Sequence, residues 1–269
     1  MNSADFRKTV YAHYRRHRRD LPWRHTTNPY HIMVSEIMLQ QTQVDRVIKK
    51  YKSFIKKFPT IRSLSRAPLS SVLKEWQGLG YNRRAKYVHM AARHISTQGT
   101  GRFPHTTDGL VSLPGIGVHT AGAICAYAFN QPVTYIETNI RTVFIHHFFP
   151  RRTQVSDAEL LPVVLRTLDH RNPRRWYSAL MDYGTWLKKE HGNAARRSRH
   201  YTRHSPFQGS HRQVRGGIIR QLTTGRAMTA AQLRRTLGVP LSRISRALEE
   251  LQAEGLVTKR DGTIYLSRY

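Results

Sequence analysis

Apolar residues in this chain recur at three- and four-residue spacing over most of its length, and no alternating strand pattern of any length occurs before residue 255. Side chains three and four positions apart share one helix face, so this period commits the chain to helices. One long run, Val44, Val47, Ile48, Tyr51, Phe54, Ile55 and Phe58, predicts a single amphipathic helix over residues 35–58 with Arg46, Lys49, Lys50, Lys56 and Lys57 on its other faces. Further helices are predicted over 69–77, 83–96, 106–111, 120–129, 139–149, 157–168 and 173–190. Gly and Pro punctuate them at Gly78, Gly80, Gly99, Gly101, Pro104, Pro114, Gly115, Gly117, Pro132 and Pro150.

Residues 192–210 are polar, basic and poor in aliphatic side chains, which reads as a linker or extended arm. Beyond it, over 209–269, the texture changes. A helix over 211–222 is followed by one that opens with a Thr229–Gln232 capping box and stops at Gly238, and by a third over 242–254. The segment LVTKRDGTIYL then predicts two short strands around Asp261-Gly262, a favoured hairpin turn. Three helices and a β-hairpin in this order read as a winged helix-turn-helix. Such a module binds DNA or a protein. Arg243 and Arg246 on its third helix, with Lys259 and Arg260 on the wing, favour DNA.

The chain has 45 Lys and Arg against 16 Asp and Glu, a formal net charge of +29. So large an excess repels itself unless a polyanion neutralises it, and the candidates are nucleic acid or an anionic membrane surface. No stretch approaches the ~20 apolar residues that a membrane span needs, and the N-terminal MNSADFRKTVYAHYRRHRRD lacks an apolar signal core. Cys125 is the single cysteine, which leaves no internal disulfide and no four-cysteine metal site within one chain. A cytoplasmic or nucleoid setting is expected.

Three features carry chemistry. The loop Leu113-Pro114-Gly115-Ile116-Gly117 lies between helices, where its glycines let the backbone turn and present N–H groups to a phosphate at the next helix start. An ordinary helix–helix turn has the same look. Glu36, within IMVSEIM, and Glu137, within VTYIETNI, are the two carboxylates in apolar surroundings. Burial disfavours the ionised form and can keep such a group protonated near neutral pH. Cleaving a glycosidic bond needs one acid for the leaving group and one ionised carboxylate for the oxocarbenium-like sugar. Either residue could instead cap a helix or pair with a cation such as Arg141. Finally, Tyr81 in GLGYNRRA and the cluster Gln40-Gln41-Thr42-Gln43 are candidates to fill the hole left by a flipped base, though Tyr81 could be an ordinary packing residue.

In this order, LPWR (21–24), NPY (28–30), SEIMLQQTQV (35–44), GLGY with a downstream RA (78–85), LPGIG followed by TAGAI (113–124), IETNIRTV (136–143) and MDYG (181–184) resemble the helix-hairpin-helix DNA glycosylase superfamily, most closely its MutY-like adenine glycosylases. The resemblance spans roughly residues 5–190. It implies Glu36 as general acid at the adenine ring, Trp23 and Arg24 bordering the base pocket, and Gln41 and Tyr81 near the intercalation site. It further implies Leu113 to Gly117 as the phosphate-binding hairpin, and Glu137 as second carboxylate with Asn139 two residues on. Four departures stand out. Glu137 occupies a position that is normally aspartate, and His119 stands where bifunctional relatives carry a Schiff-base lysine. The cysteines expected after MDYG are absent from TWLKKEHGNAARRSRHY, and the winged helix stands where adenine enzymes carry a domain that senses 8-oxoguanine.

The resulting expectation is an all-α, two-lobed helix-hairpin-helix glycosylase core with a C-terminal winged helix-turn-helix. A central lobe would span 24–130, a second lobe 1–23 and 131–200, with the catalytic cleft between them as the resemblance implies. The expected catalytic residues are Glu36, Glu137, His119 and Asn139. DNA contacts are expected from Gln40, Gln41, Thr42, Tyr81, Leu113, Gly115, Gly117, Arg243, Arg246 and Lys259, with no cofactor and no metal. The partner would be double-stranded DNA holding a mispaired or damaged base, met by a monomer with no membrane contact. Adenine opposite guanine or 8-oxoguanine is the leading substrate. Uracil or thymine opposite guanine is the alternative, and a non-catalytic DNA-binding regulator a third reading. With one cysteine, packing around Trp176, Tyr177, Trp186 and Leu187 must replace any cluster. Purified protein is accordingly expected to be colourless and free of stoichiometric iron; iron at one cluster per chain in elemental analysis would contradict this.

Overall fold

A computed structural model describes residues 1–97, 102–203 and 206–267 of the chain. The break predicted at Gly99 and Gly101 lies outside the described residues. Helix α1 (Ser3–His17) starts behind Asn2, whose side chain accepts from the Asp5 N–H, and ends on Arg15, Arg16 and His17, cations placed at its negative end. A single 3-10 turn, Pro22–Arg24, follows. Next come α2 (Pro29–Leu39) and α3 (Val44–Lys57), so the continuous helix expected over 35–58 is broken at residues 40–43. There Gln41 adopts a left-handed φ of 55°. The break falls on the polar run Gln40-Gln41-Thr42-Gln43, where a distant side chain, Arg84, described below, takes up the free carbonyls.

Helix α4 (Ile61–Arg66), opened by a Thr60–Ser63 capping box, is too short for its periodicity to announce it. Helices α5 (Leu69–Trp76), α6 (Arg83–Thr97), α7 (Thr107–Val111), α8 (Val118–Phe129), α9 (Thr138–Phe148), α10 (Asp157–Thr167) and α11 (Pro173–Glu190) follow the predicted spans closely. The C-terminal module comprises α12 (His211–Leu222), β1 (Met228–Thr229), α13 (Ala230–Leu237), α14 (Leu241–Ala253), β2 (Val257–Arg260) and β3 (Thr263–Leu266). The capping box and the left-handed Gly238 bound α13 as expected. Asp261 and Gly262 both take positive φ, the condition for the tight turn between β2 and β3. The expected hairpin gains a third strand: the order is β1-β3-β2, with Met228 opposite Ile264. The module thus joins three helices to a small antiparallel sheet of three strands.

The chain divides into two units. The first comprises Met1–Met33, His105–Ser112 and Ile116–Arg203. Its core joins Phe6 and Val10 of α1 to Val143 and Phe144 of α9 and Trp176, Tyr177 and Leu180 of α11. Phe6 meets Phe144 at 5.2 Å and Trp176 at 5.8 Å between ring centroids, edge or tilted contacts that add to the area buried. The basic stretch after α11 contributes a 3-10 turn, Ala194–Arg197, on which Ala195 is buried and Arg197 donates to the Phe149 and Pro150 carbonyls behind α9. The second unit comprises Val34–Pro104, Leu113–Gly115 and His204–Tyr269. Phe54, Leu64, Val72, Trp76 and Val88 are fully buried there, as are Ile218, Ile219, Leu233 and Ile244 from the C-terminal module. Lys86 on α6 donates to the Glu254 carbonyl at 2.5 Å, and Arg83 lies 3.8 Å from the Glu254 carboxylate.

The end of α11 packs on rings. Trp176, Tyr177 and Leu187 are buried, whereas Trp186 is half-exposed, stacked on Tyr183 at 5.5 Å and tilted against His13 at 5.1 Å. His147 stacks on the other side of this group and shares a 2.9 Å hydrogen bond with the Tyr183 hydroxyl. Burial first, then the neighbouring His146 and the N-terminal ammonium, pull His147 down to about 4. The unfolded chain binds this proton more readily than the folded one, so the stabilisation is complete above the ordinary histidine pKa of about 6.5 and is lost as pH falls towards about 4. His147→Gln should therefore flatten the fall in melting temperature across that window by about one linked proton. An unchanged slope in pH-resolved thermal melts would contradict this.

Candidate active site

Glu137 is the N-cap of α9 in extended backbone (φ −114°, ψ 179°). Its Oε1 accepts the Asn139 N–H at 2.5 Å and the Ile140 N–H at 2.8 Å, and its Oε2 lies 3.3 Å from Asn139 Nδ2. Glu137 thus caps a helix, as one of its sequence readings has it, with its carboxylate half-buried. Burial pushes its pKa above the ordinary glutamate range, against the pull of the Ile140 N–H, Lys188, the Asn139 N–H and Arg141. Arg141 grips Asp157 with two hydrogen bonds of 2.8 and 2.7 Å. Asn139 is held by α11: Gly184 lies so close that a Cβ there would sit 2.6 Å from the Asn139 carbonyl oxygen, which only glycine tolerates.

The base-pocket candidates Trp23 and Arg24 sit in the 3-10 turn, Trp23 buried at 8% exposure. The Arg24 guanidinium binds both Asp182 oxygens, at 2.8 and 2.9 Å, and also donates to the Arg19 and Ser178 carbonyls. Arg19 adds a 2.6 Å bond to the same carboxylate. Burial would raise Asp182, but Arg24 and Arg19 overcome it and hold the carboxyl below its usual range. Breaking such a buried pair on one side costs about 3–5 kcal/mol. The structure thus gives Arg24 an anchoring task that sequence reasoning missed.

Glu36 lies on α2 between buried Ile32, Met33, Ile37 and Met38, and is itself half-buried. The end of α2 is organised by Arg84, 8% exposed, from α6. Its Nη1 donates to the carbonyls of Ile37 (2.8 Å), Met38 (2.9 Å) and Gln40 (2.6 Å). Its Nη2 donates to Thr42 Oγ1 (2.9 Å) and to the Leu79 and Gly80 carbonyls (both 3.1 Å). The open carbonyls at a helix end need such donors. Burial brings the guanidinium down to about 10, still a cation at neutral pH. Thr42 Oγ1 in turn donates to the Leu79 carbonyl at 3.1 Å. Gln40, Gln41, Thr42 and Tyr81 are thereby brought together. Gln41 and Tyr81 both take left-handed backbone, φ 55° and 46°, which costs a side-chain-bearing residue about 1–2 kcal/mol each. Strain of this kind collects at functional positions.

Leu113 and Ile116 are buried and pin the loop between α7 and α8, leaving Gly115 and Gly117 exposed. Gly115 combines φ +77° with a space where a Cβ would be 2.5 Å from Tyr87 Cβ. Gly117 is the N-cap of α8, and His119 is exposed in that helix's first turn, where free N–H groups and the helix dipole favour an anion.

In the C-terminal module, Arg212 on α12 donates to the Tyr81 hydroxyl at 2.5 Å and lies 5.6 Å from its ring centre, while Arg84 lies 5.5 Å from the same ring. Tyr81 is flanked by two guanidinium groups yet 38% exposed. Nothing in the local sequence singles out Arg212 for this contact. Arg243 donates to the Gly209 carbonyl at 2.7 Å, Arg246 is 3.5 Å from Glu250, and Lys259 is exposed on β2.

Among the described residues no three His, Cys, Asp or Glu side chains gather to hold a metal ion. The stretch after α11 does not fit an iron–sulfur cluster: it offers no thiol, and Cys125 is buried within α8. Among the described residues no helix is long and apolar enough to cross a membrane.

Residues 34–161 match the family model for the HhH-GPD superfamily of base excision DNA repair proteins. The chain is 33% identical over 271 residues to the adenine DNA glycosylase of Mycobacterium tuberculosis (strain H37Rv), covering 92% of this chain and 88% of that protein. It is 36% identical over 194 residues to the adenine DNA glycosylase of Buchnera aphidicola subsp. Baizongia pistaciae, but spans only 54% of that protein's length. A solved thermostable thymine-DNA glycosylase superposes with a TM-score of 0.64 at 26% identity, over 72% of this chain and 90% of that one. Endonuclease III trapped on DNA shares the fold, with a TM-score of 0.58 at 18% identity over 77% and 91% of the two chains. This chain belongs to the HhH-GPD superfamily, among its MutY-like adenine DNA glycosylase homologues.

Proposed function

We propose that the chain is a DNA N-glycosylase that removes adenine mispaired with guanine or 8-oxoguanine, acting as a monomer on duplex DNA at the nucleoid. The single observation that carries the reading is the pairing of sequence likeness with site chemistry: an adenine glycosylase relative at 33% identity over 92% of the chain, and a desolvated carboxylate at Glu137 backed by Asn139. Glu36 donates the proton that lets the adenine ring leave. Glu137, ionised, stabilises the positive charge growing on the sugar and orients the water that captures it. The Asn139 and Ile140 N–H groups already point at this carboxylate, where they oppose its protonation and fix its position.

Gln41 and Tyr81 take the places around the vacated stack and the opposite base. The loop ending at Gly117 binds a backbone phosphate, and the C-terminal module, through Arg243, Arg246, Lys259 and Arg260, adds contacts to the flanking duplex. His119 supplies no amine for a Schiff base, so the product is an intact abasic site that breaks only under heat or alkali. Thymine or uracil excision opposite guanine is the competing reading, supported by the fold shared with a thymine-DNA glycosylase.

Single-turnover assays on duplexes carrying A:8-oxoguanine, A:G, T:G or U:G test both. Adenine release is expected from the first two. Preferential release of thymine or uracil would overturn the adenine reading. On the preferred duplex, Glu36→Gln should keep DNA affinity and lose excision by about 10²–10⁴-fold, the range for a lost general acid. A near wild-type rate would remove Glu36 from the mechanism.

A further inference from the structure

Three residues on one face of α11, at positions 181, 184 and 188, converge on Asn139. Met181 Sδ lies 3.8 Å from Asn139 Nδ2. Gly184 permits the close approach of the two helices, with no room for a Cβ against the Asn139 backbone. One turn further on, Lys188 Nζ donates to Asn139 Oδ1 at 2.8 Å. An ammonium has only donors to offer, so this bond fixes which end of the amide is which. The oxygen faces Lys188 and the NH2 is turned to Glu137 Oε2, 3.3 Å away.

We propose that Lys188 is a positioning residue for excision: it locks the Asn139 amide with its donor toward Glu137, and it supplies the positive charge facing that carboxylate which has no carboxylate of its own. The inference rests on Glu137 being the ionised carboxylate of the reaction. The charged groups bearing on Glu137 are Lys188 from α11 and Arg141 from its own helix. Arg141 is already committed to Asp157, at the start of α10, through two hydrogen bonds. Lys188, among the described residues, makes no ion pair of its own within 4 Å; its hydrogen bond goes to the amide between it and Glu137. The two charges depend on each other. Burial draws Lys188 below its ordinary range while Glu137 draws it back up, and Lys188 in turn opposes the burial that raises Glu137. A glutamate in place of the family's shorter aspartate makes such a partner useful, because a longer side chain needs more restraint to hold one position.

The test is the pH profile of single-turnover excision by the full-length protein on its preferred duplex, for wild type, Lys188→Met, Lys188→Arg and Glu137→Gln. Loss of Lys188 should move the acidic limb of the profile upward by about one pH unit, the scale of a neighbouring counter-charge. It should also slow the reaction at neutral pH by about tenfold or more, with duplex affinity unchanged. Lys188→Arg, which keeps the charge, should return the limb towards wild type. A folded Lys188→Met whose limb does not move would overturn the proposal, as would a loss equal at every pH that arginine does not rescue. If Lys188→Met fails to fold, Lys188→Gln, which keeps a donor and removes only the charge, must show the same shift, and an unmoved limb is again fatal. Glu137→Gln separates the two levels of the account. Full activity there would bring down the role of Glu137 itself, whereas an inactive Glu137→Gln beside an unmoved Lys188→Met limb would bring down Lys188 alone.

Discussion

A charge taken out of water must be met by groups already in place, and in this protein a half-buried carboxylate and a buried guanidinium set the local architecture. At Glu137 a carboxylate is met by donors: two backbone N–H groups from the start of α9, the Asn139 amide behind them, and the Lys188 ammonium behind the amide. The Lys188 contact is lost if α11 moves away from α9, and the approach of those helices depends on the missing side chain of Gly184. Helix capping, helix packing and the chemistry of the site are therefore one constraint expressed at three scales.

Arg84 is the mirror case. Its guanidinium is met by acceptors, five carbonyls and the Thr42 hydroxyl, drawn from the end of α2, the turn after it and the turn before α6. Truncating it would leave buried carbonyls without donors at about 1–3 kcal/mol apiece. It also holds Gln41 and Tyr81 in left-handed backbone that neither residue favours alone. The strained pair thus belongs to a hydrogen-bonded bracket rather than to loose loops, which suits the place at the DNA stack proposed for these side chains. Arg212 extends the bracket into the C-terminal module by donating to the Tyr81 hydroxyl, so that module reaches the turn before α6 as well as presenting basic side chains.

Much of this is legible in the amino-acid sequence itself. Helices α5 to α11 announced themselves because an apolar stripe is a local pattern, and the ends of α13 because a capping box and a left-handed glycine are local too. Glu36 and Glu137 stood out because a carboxylate among aliphatic residues is rare in a protein with 16 acidic side chains. What stayed hidden depends on distance along the sequence. The break at residues 40–43 contains neither Gly nor Pro and is imposed by Arg84, more than forty residues downstream. Lys188 and Arg84 could not be distinguished from 43 other lysines and arginines, since burial of a cation leaves no trace in a uniformly basic sequence. Arg24 carried a motif-derived expectation at the base pocket, while its partner Asp182 lies 158 residues away. Strand β1, only two residues long, has no pattern to read.

The central claim is that the site around Glu137 is built for a glutamate, not a weakened aspartate site. Shortening the side chain by one methylene while keeping its charge tests this directly. In single-turnover excision on the preferred duplex, Glu137→Asp is predicted to be slower than wild type, because the carboxylate withdraws from both the sugar and its Asn139 support, and even a ~1 Å misplacement of a catalytic group can cost about 100-fold. A Glu137→Asp enzyme faster than wild type would contradict the account.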